Sequence, residues 1–269
     1  VQTSFGGDDA FEWFGGTVNG KWLIAYRTVD DMFDADFGYQ GKNQWVLGYS
    51  DPNLADVSGS NGFESDNDAA GSTNSPKTDA DFSNVTVLGP IGQGIDPINS
   101  NYRRALHIRR CSFIDIFNSA FSGFPVGFKI EGACSIDGFT TSGEVEFAAN
   151  VLAGISGNAI EPTPDAAVLN EFNASGNSIL TNVLDLNLKD PFDFAGNNPD
   201  FRPATGSPLL GGADFSSPTV MDPFFTTTTY RGAMNDTDWT DCWTEWNPII
   251  ADYSNSVNYG LTPGISFTQ

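Results

Sequence analysis

The feature that most constrains this chain is a pentapeptide that returns. Trp22-Leu-Ile-Ala-Tyr26 recurs as Trp45-Val-Leu-Gly-Tyr49, with the aromatic residue at both ends kept. Val87-Leu88-Gly89 echoes the middle of that unit after a longer insertion. A second pattern, polar–any–Phe–acid, keeps nearly the same step. It reads Asp9-Ala-Phe11-Glu12, then Asp31-Met-Phe33-Asp34, then, after a somewhat longer interval, Asn61-Gly-Phe63-Glu64. A period in the low twenties, carried by short apolar runs between Gly, Asn and Asp turns, predicts stacked coils of short strands. One coil cannot bury its inward face alone, so stacking makes the core. Helical periodicity is poor, and 29 Gly and 15 Pro interrupt the chain. The exception is a short helix expected over residues 166–172, after Pro162 and Pro164.

The resulting expectation is an all-β chain, a right-handed parallel β-helix (solenoid) over residues 1–190. Residues 191–269 then form an irregular, aromatic-rich C-terminal cap, with Trp239, Trp243 and Trp246 folding over the last coil. A β-sandwich with strands of similar length is the rival architecture. The chain opens on a β-like run, Val1 to Phe5, with no basic leader, which predicts a start inside a coil with further coils upstream.

Charge narrows the function. With 34 acidic and 12 basic residues the formal net charge is −22, which opposes binding to nucleic acid or anionic membrane. No apolar run approaches the roughly 20 residues that span a bilayer. Three cysteines and one histidine are too few for a disulfide scaffold or a His-rich metal centre. The acids themselves are patterned. Equivalent residues of successive coils stand about 4.8 Å apart, so Glu12, Asp34 and Glu64 would stack as like charges. A hard cation with oxygen ligands relieves that repulsion, and Asp34-Ala-Asp36 and Asp66-Asn-Asp68 thicken the cluster. The candidate calcium ligands are Glu12, Asp31, Asp34, Asp36, Glu64, Asp66 and Asp68. A solvated acidic face is the alternative. Arg103, Arg104, Arg109 and Arg110 lie within ten positions, to neutralise neighbouring acids or to bind an acidic ligand bidentately. His107, between Leu106 and Ile108, reads as a structural histidine rather than a base. Trp22 and Trp45 read as an in-register stack rather than a sugar platform.

Several segments resemble one group of proteins in combination. They are residues 7–16 (Gly7-Asp-Asp-Ala-Phe-Glu-Trp-Phe-Gly-Gly16), residues 34–42, residues 61–67, Gly206-Ser-Pro208 and residues 225–233. The group is the largely uncharacterised β-helix proteins exported by the Bacteroidota type IX secretion system. The resemblance implies a pectate-lyase-type β-helix, an extracellular or outer-surface location and a C-terminal sorting domain beyond this chain. It implies no established activity. Adhesion, glycan contact or a structural role is expected, with an extracellular polysaccharide or cell-surface protein as partner. The alternative is a polysaccharide lyase or glycoside hydrolase. Lyases of this fold set calcium-binding acids beside a basic residue, and here Arg103 or Arg109 with Asp34 and Glu64 would fill those places. Cys111 and Cys134 are separated by the same shift as Trp22 and Trp45, and stacked positions would allow a disulfide in an oxidising exterior. Two buried free thiols are the competing reading.

Overall fold

The computed structural model describes residues 1–194 and 198–254; the rest of the expected cap, 195–197 and 255–269, lies outside the described residues. Two parallel sheets run the length of the repeat region. The first carries Gln2–Ser4, Gly20–Tyr26, Lys42–Tyr49, Asp81–Leu88, Ala120–Ser122, Val151–Ala153 and Ser178–Leu180 in that order. The second carries Phe11–Gly16, Phe33–Tyr39, Phe63–Ser65, Arg104–Ile108, Val126–Ile130 and Ile160–Glu161. The chain alternates between them, so each coil gives one strand to each sheet and pairs with the coil before and after. This is a parallel β-helix, not a sandwich. The only antiparallel pair among the described residues is Leu188–Asp190 with Asp200–Pro203.

Register follows the repeats. Tyr26 pairs with Tyr49 and Phe11 with Phe33, and Trp22 stacks on Trp45 with ring centroids 5.3 Å apart. One echo is displaced. Val46 pairs with Val85 and Gly48 with Val87, so the Val87-Leu88-Gly89 match sits two positions out of the true register.

The polar–any–Phe–acid motif has a separate task for each position. The phenylalanines point inward as a stack: Phe11 on Phe33 at 5.7 Å, Phe33 on Phe63 at 4.8 Å, continued by Leu106, Phe128 and Ile160. The first residue ties rung to rung. Asp9 Oδ1 accepts the Asp31 backbone N–H at 2.8 Å, and Asp31 Oδ1 accepts that of Asn61 at 2.5 Å. The acid points outward. A left-handed residue bends the first sheet at the same place in successive coils: Trp22, Trp45, Asn84, Asn118 and Ala149 all have φ between +54° and +59°. Asparagine accepts that conformation most readily, and at this bend its side chain is free to bond other backbone.

The C-terminal segment departs from expectation. It runs back along the outer face of the first sheet instead of closing over the final coil. Trp246 packs on Tyr26 of an early coil at 5.2 Å, and the Tyr26 hydroxyl donates to the Trp246 carbonyl at 2.9 Å. Side-chain amides hold the strap by both backbone groups: Gln44 with Thr226, Asn118 with Asp214, and Gln2 with Glu245. The first sheet is therefore buried on both faces, which is why Trp22 to Tyr26 and Trp45 to Tyr49 read as continuous apolar runs. The expected helix forms at Ala166–Ala174, with Asp165 accepting the Ala167 and Val168 N–H groups as N-cap. Cys111 and Cys134 form a disulfide with Cα atoms 5.0 Å apart, and Cys242 is free and exposed.

Candidate functional site

The outward acids of the second sheet fall in one column. Glu12 pairs with Asp34, Asp34 with Glu64, Glu64 with His107, His107 with Lys129 and Lys129 with Glu161. The column thus begins as three acids and ends in mixed charge, and its two ends behave differently.

At the later rungs every acid is matched. Arg109 bonds Glu64 through Nη2 and Asp66 through Nε at 2.8 Å, and Arg110 Nη1 bonds Asp66 at 2.6 Å. His107, 3% exposed, lies with Nε2 3.0 Å from Glu131 and Nδ1 3.5 Å from Glu64. Burial alone would raise the Glu64 carboxyl, but the nearby His107 ring and the Arg109 charge outweigh it and hold Glu64 below the usual range. His107 and Lys129 hold Glu131 lower still, at about 2.

At the first rungs the acids are not matched by cations. Burial, then the charges of Asp9 and Glu64, push Asp34 up to about 8. Burial pushes Asp9 to about 7 against the Asp31 N–H bond. Asp34 Oδ1 is buried and has no hydrogen-bond partner. Carboxylate oxygens of Asp9, Glu12 and Asp34 lie within 4.8 Å of one another, and so do those of Asp8, Asp9 and Asp30. Two overlapping acid groups with few internal donors form the only region among the described residues where three such ligands converge.

The candidate ligands therefore separate. Glu12 and Asp34 belong to the converging group. Asp31 is 6% exposed and turned to Asn61, and burial raises its carboxyl well above the usual range. Asp36 accepts the Phe37 N–H at 2.6 Å. Asp68 accepts the Ala70 and Ser72 N–H groups within its own loop. Glu64 and Asp66 belong to the arginines. Asp8, Asp9 and Asp30 join the converging group although they are not among the ligands expected from sequence. The signal for Asp9 is the first position of the repeat motif; Asp8 and Asp30 each directly precede that position.

The residues proposed for catalysis do not form one constellation. Arg109 meets Glu64, but two carboxylates already occupy its guanidinium. Arg103 lies in a different cleft of about 790 Å³ beside Tyr102 and Ile98, and its Nη1 donates to the Ser100 carbonyl at 2.8 Å. No free arginine faces Asp34 among the described residues.

Parallel coils, an inward aromatic column and an outward charged ladder make a fold that a family comparison places directly. The pectate-lyase like beta helix domain matches residues 1–183. The chain belongs to that family. No curated protein and no solved structure matches it. Within this β-helix no helix among the described residues is long and apolar enough to cross a membrane.

Proposed function

We propose that this β-helix is an exported, cell-surface protein whose right-handed coils are stabilised by calcium at the first rungs of its acidic ladder, and whose role is contact with extracellular glycan or another surface partner. The observation that carries the cation is the pairing of convergence with want: Asp9, Glu12 and Asp34 share one space, and the buried Asp34 Oδ1 accepts nothing from the protein. Calcium takes six to eight oxygens in flexible geometry, so water would complete the shell around these carboxylates. The later rungs need no ion because Arg109, Arg110 and Lys129 already neutralise them. Glu12 and Asp34 are thus the retained ligands of the set expected from sequence, joined by Asp9.

Export is supported by the disulfide, which persists in oxidising compartments, and by the resemblance to type IX cargo noted above. Right-handed coiling is supported by the near-universal hand of parallel crossover connections. The lyase reading has no such support, because Arg109 is engaged and Arg103 is remote.

Chelation tests the cation. An ion that binds only the folded state raises stability by mass action, so a chelator should lower the melting temperature and added calcium should restore it. An unchanged melting temperature in excess chelator removes calcium from this account.

A further inference from the structure

The loop between Asp81–Leu88 and Arg104–Ile108 borders the cleft of about 790 Å³ that holds Arg103. The loop is pinned on both sides. Gln93 Nε2 donates to the Ser50 and Gly89 carbonyls at 2.9 and 2.8 Å, and its Oε1 accepts the Tyr49 hydroxyl at 2.7 Å. The Asn99 amide donates to the Asn53 carbonyl at 3.1 Å, and the Tyr102 hydroxyl to the Asp51 carbonyl at 2.7 Å. Between those ties residues 94–97 face solvent, and Ile95 is 41% exposed at the cleft. The apolar walls are aliphatic: Ile91, Ile95, Ile98 and Pro125.

Arg103 is the one cation lining this cleft, and its guanidinium is both positioned and unpaired. Its stem passes over Gly59, where a Cβ would stand 2.8 Å from Arg103 Cγ and 2.8 Å from Nε; Gly59 also has φ +112°, so glycine is required there on both counts. Nη1 donates to the Ser100 carbonyl at 2.8 Å. Nε and Nη2 have no hydrogen-bond or ion-pair partner among the described residues. That sets Arg103 apart in a chain of net charge −22. Arg27, Arg109, Arg110 and Arg202 each meet a carboxylate. Arg231 is tied to the Pro208 carbonyl, and the Arg104 Nε is sealed from water where the Arg103 Nε is not. The acid of the cleft, Asp96, is exposed and forms no ion pair with Arg103 among the described residues.

We infer that this cleft binds an aliphatic monocarboxylate, with the carboxylate on the open Nε–Nη2 edge of Arg103 and the carbon chain on the isoleucines. Two parallel N–H donors on one edge of a guanidinium match the two oxygens of a carboxylate. The walls select the rest of the ligand. Isoleucine and proline faces favour an aliphatic body. Asn99 and Tyr102 already give their polar groups to Asn53 and Asp51, so a sugar acid finds little there for its hydroxyls. Asp96 repels a second negative charge, which favours a monoanion over a dianion. Two sources present that chemistry, a free fatty acid and the C-terminal carboxylate of an apolar peptide. No residue of the acidic ladder lines the cleft, so binding here needs no calcium.

Calorimetric titration of the full chain tests this with four probes: octanoate, N-acetyl-leucyl-leucine, the C-terminal amide of that dipeptide, and galacturonate. At least one of the two aliphatic acids should bind saturably, and the amide and galacturonate at least tenfold more weakly than that acid. Tighter octanoate binding identifies a free fatty acid as the source, and tighter dipeptide binding a chain terminus. Arg103→Gln should weaken binding at least tenfold, while Asp190→Asn, exposed and outside the cleft, should leave it unchanged. Ile95→Ser, at an exposed position of the loop, serves as a second variant should Arg103→Gln not fold, with a loss of at least threefold expected. Absent binding of both aliphatic acids, an amide or galacturonate that binds as tightly as they do, or binding indifferent to the cleft variants overturns the assignment.

Discussion

Replacing both Cys111 and Cys134 by serine removes a covalent link between consecutive coils. Cys111 follows Arg109 and Arg110, the residues that neutralise Glu64 and Asp66, and Cys134 lies in the short helix Ala133–Asp137. The closed loop spans a sequence separation of 23 residues. In the chain-entropy model a loop of that length restricts the unfolded ensemble by roughly 11 cal/mol/K, or about 3 kcal/mol at 25 °C. For a domain of this size each kcal/mol moves the melting temperature by about 2–4 °C, so the double variant should melt roughly 6–12 °C lower. Differential scanning calorimetry under non-reducing conditions measures it. Thiol titration of the denatured, unreduced protein should find one free thiol, Cys242. Three free thiols, or a double variant that melts with the wild type, refutes the reasoning.

Two further outcomes follow from the core and the ladder. Phe63, 1% exposed, lies 4.8 Å from Phe33 and 5.1 Å from Phe82 by ring centroids, so Phe63→Ala should destabilise by about 3–5 kcal/mol in urea unfolding; a loss under about 1 kcal/mol would mean the inward column does not carry the core. Asp34 and Asp9 have folded values of about 8 and about 7, above the unfolded range near 4, so the folded state holds the extra protons. Their contribution is therefore full below about pH 4 and lost as pH rises toward 8. In chelator the urea midpoint should fall between pH 5 and pH 8, and millimolar calcium should flatten that fall; a midpoint that rises in chelator contradicts the raised carboxyls.

How much of this was legible in sequence depended on where the period held. Between Asp9 and Glu64 the steps stay close to one coil and the motif is intact, so the alignment of Glu12, Asp34 and Glu64 could be read directly. From Glu64 the column passes to His107 across a much longer insertion and no motif survives it, so the arginine cluster reads as neutralising nearby acids without showing that Glu64 and Asp66 are the ones it meets. The strap was missed for another reason. It is read by single amides such as Gln44 and Asn84, which reach backbone and side chains far along the chain, and an isolated Gln or Asn carries no sequence signature of a distant partner. Its one trace was the continuous apolar character of Trp22 to Tyr26, which a one-sided sheet would not need. The disulfide was legible because its spacing equals the coil.

The central claim is that calcium occupies the first rungs and not the later ones. Calorimetric calcium titration of the wild type, Asp34→Asn and Asp66→Asn measures this most directly. The account predicts saturable binding in the wild type, at least tenfold weaker binding in Asp34→Asn, and near wild-type affinity in Asp66→Asn, whose carboxylate belongs to Arg109 and Arg110. Absent binding in the wild type, or a loss in Asp66→Asn equal to that in Asp34→Asn, would contradict it.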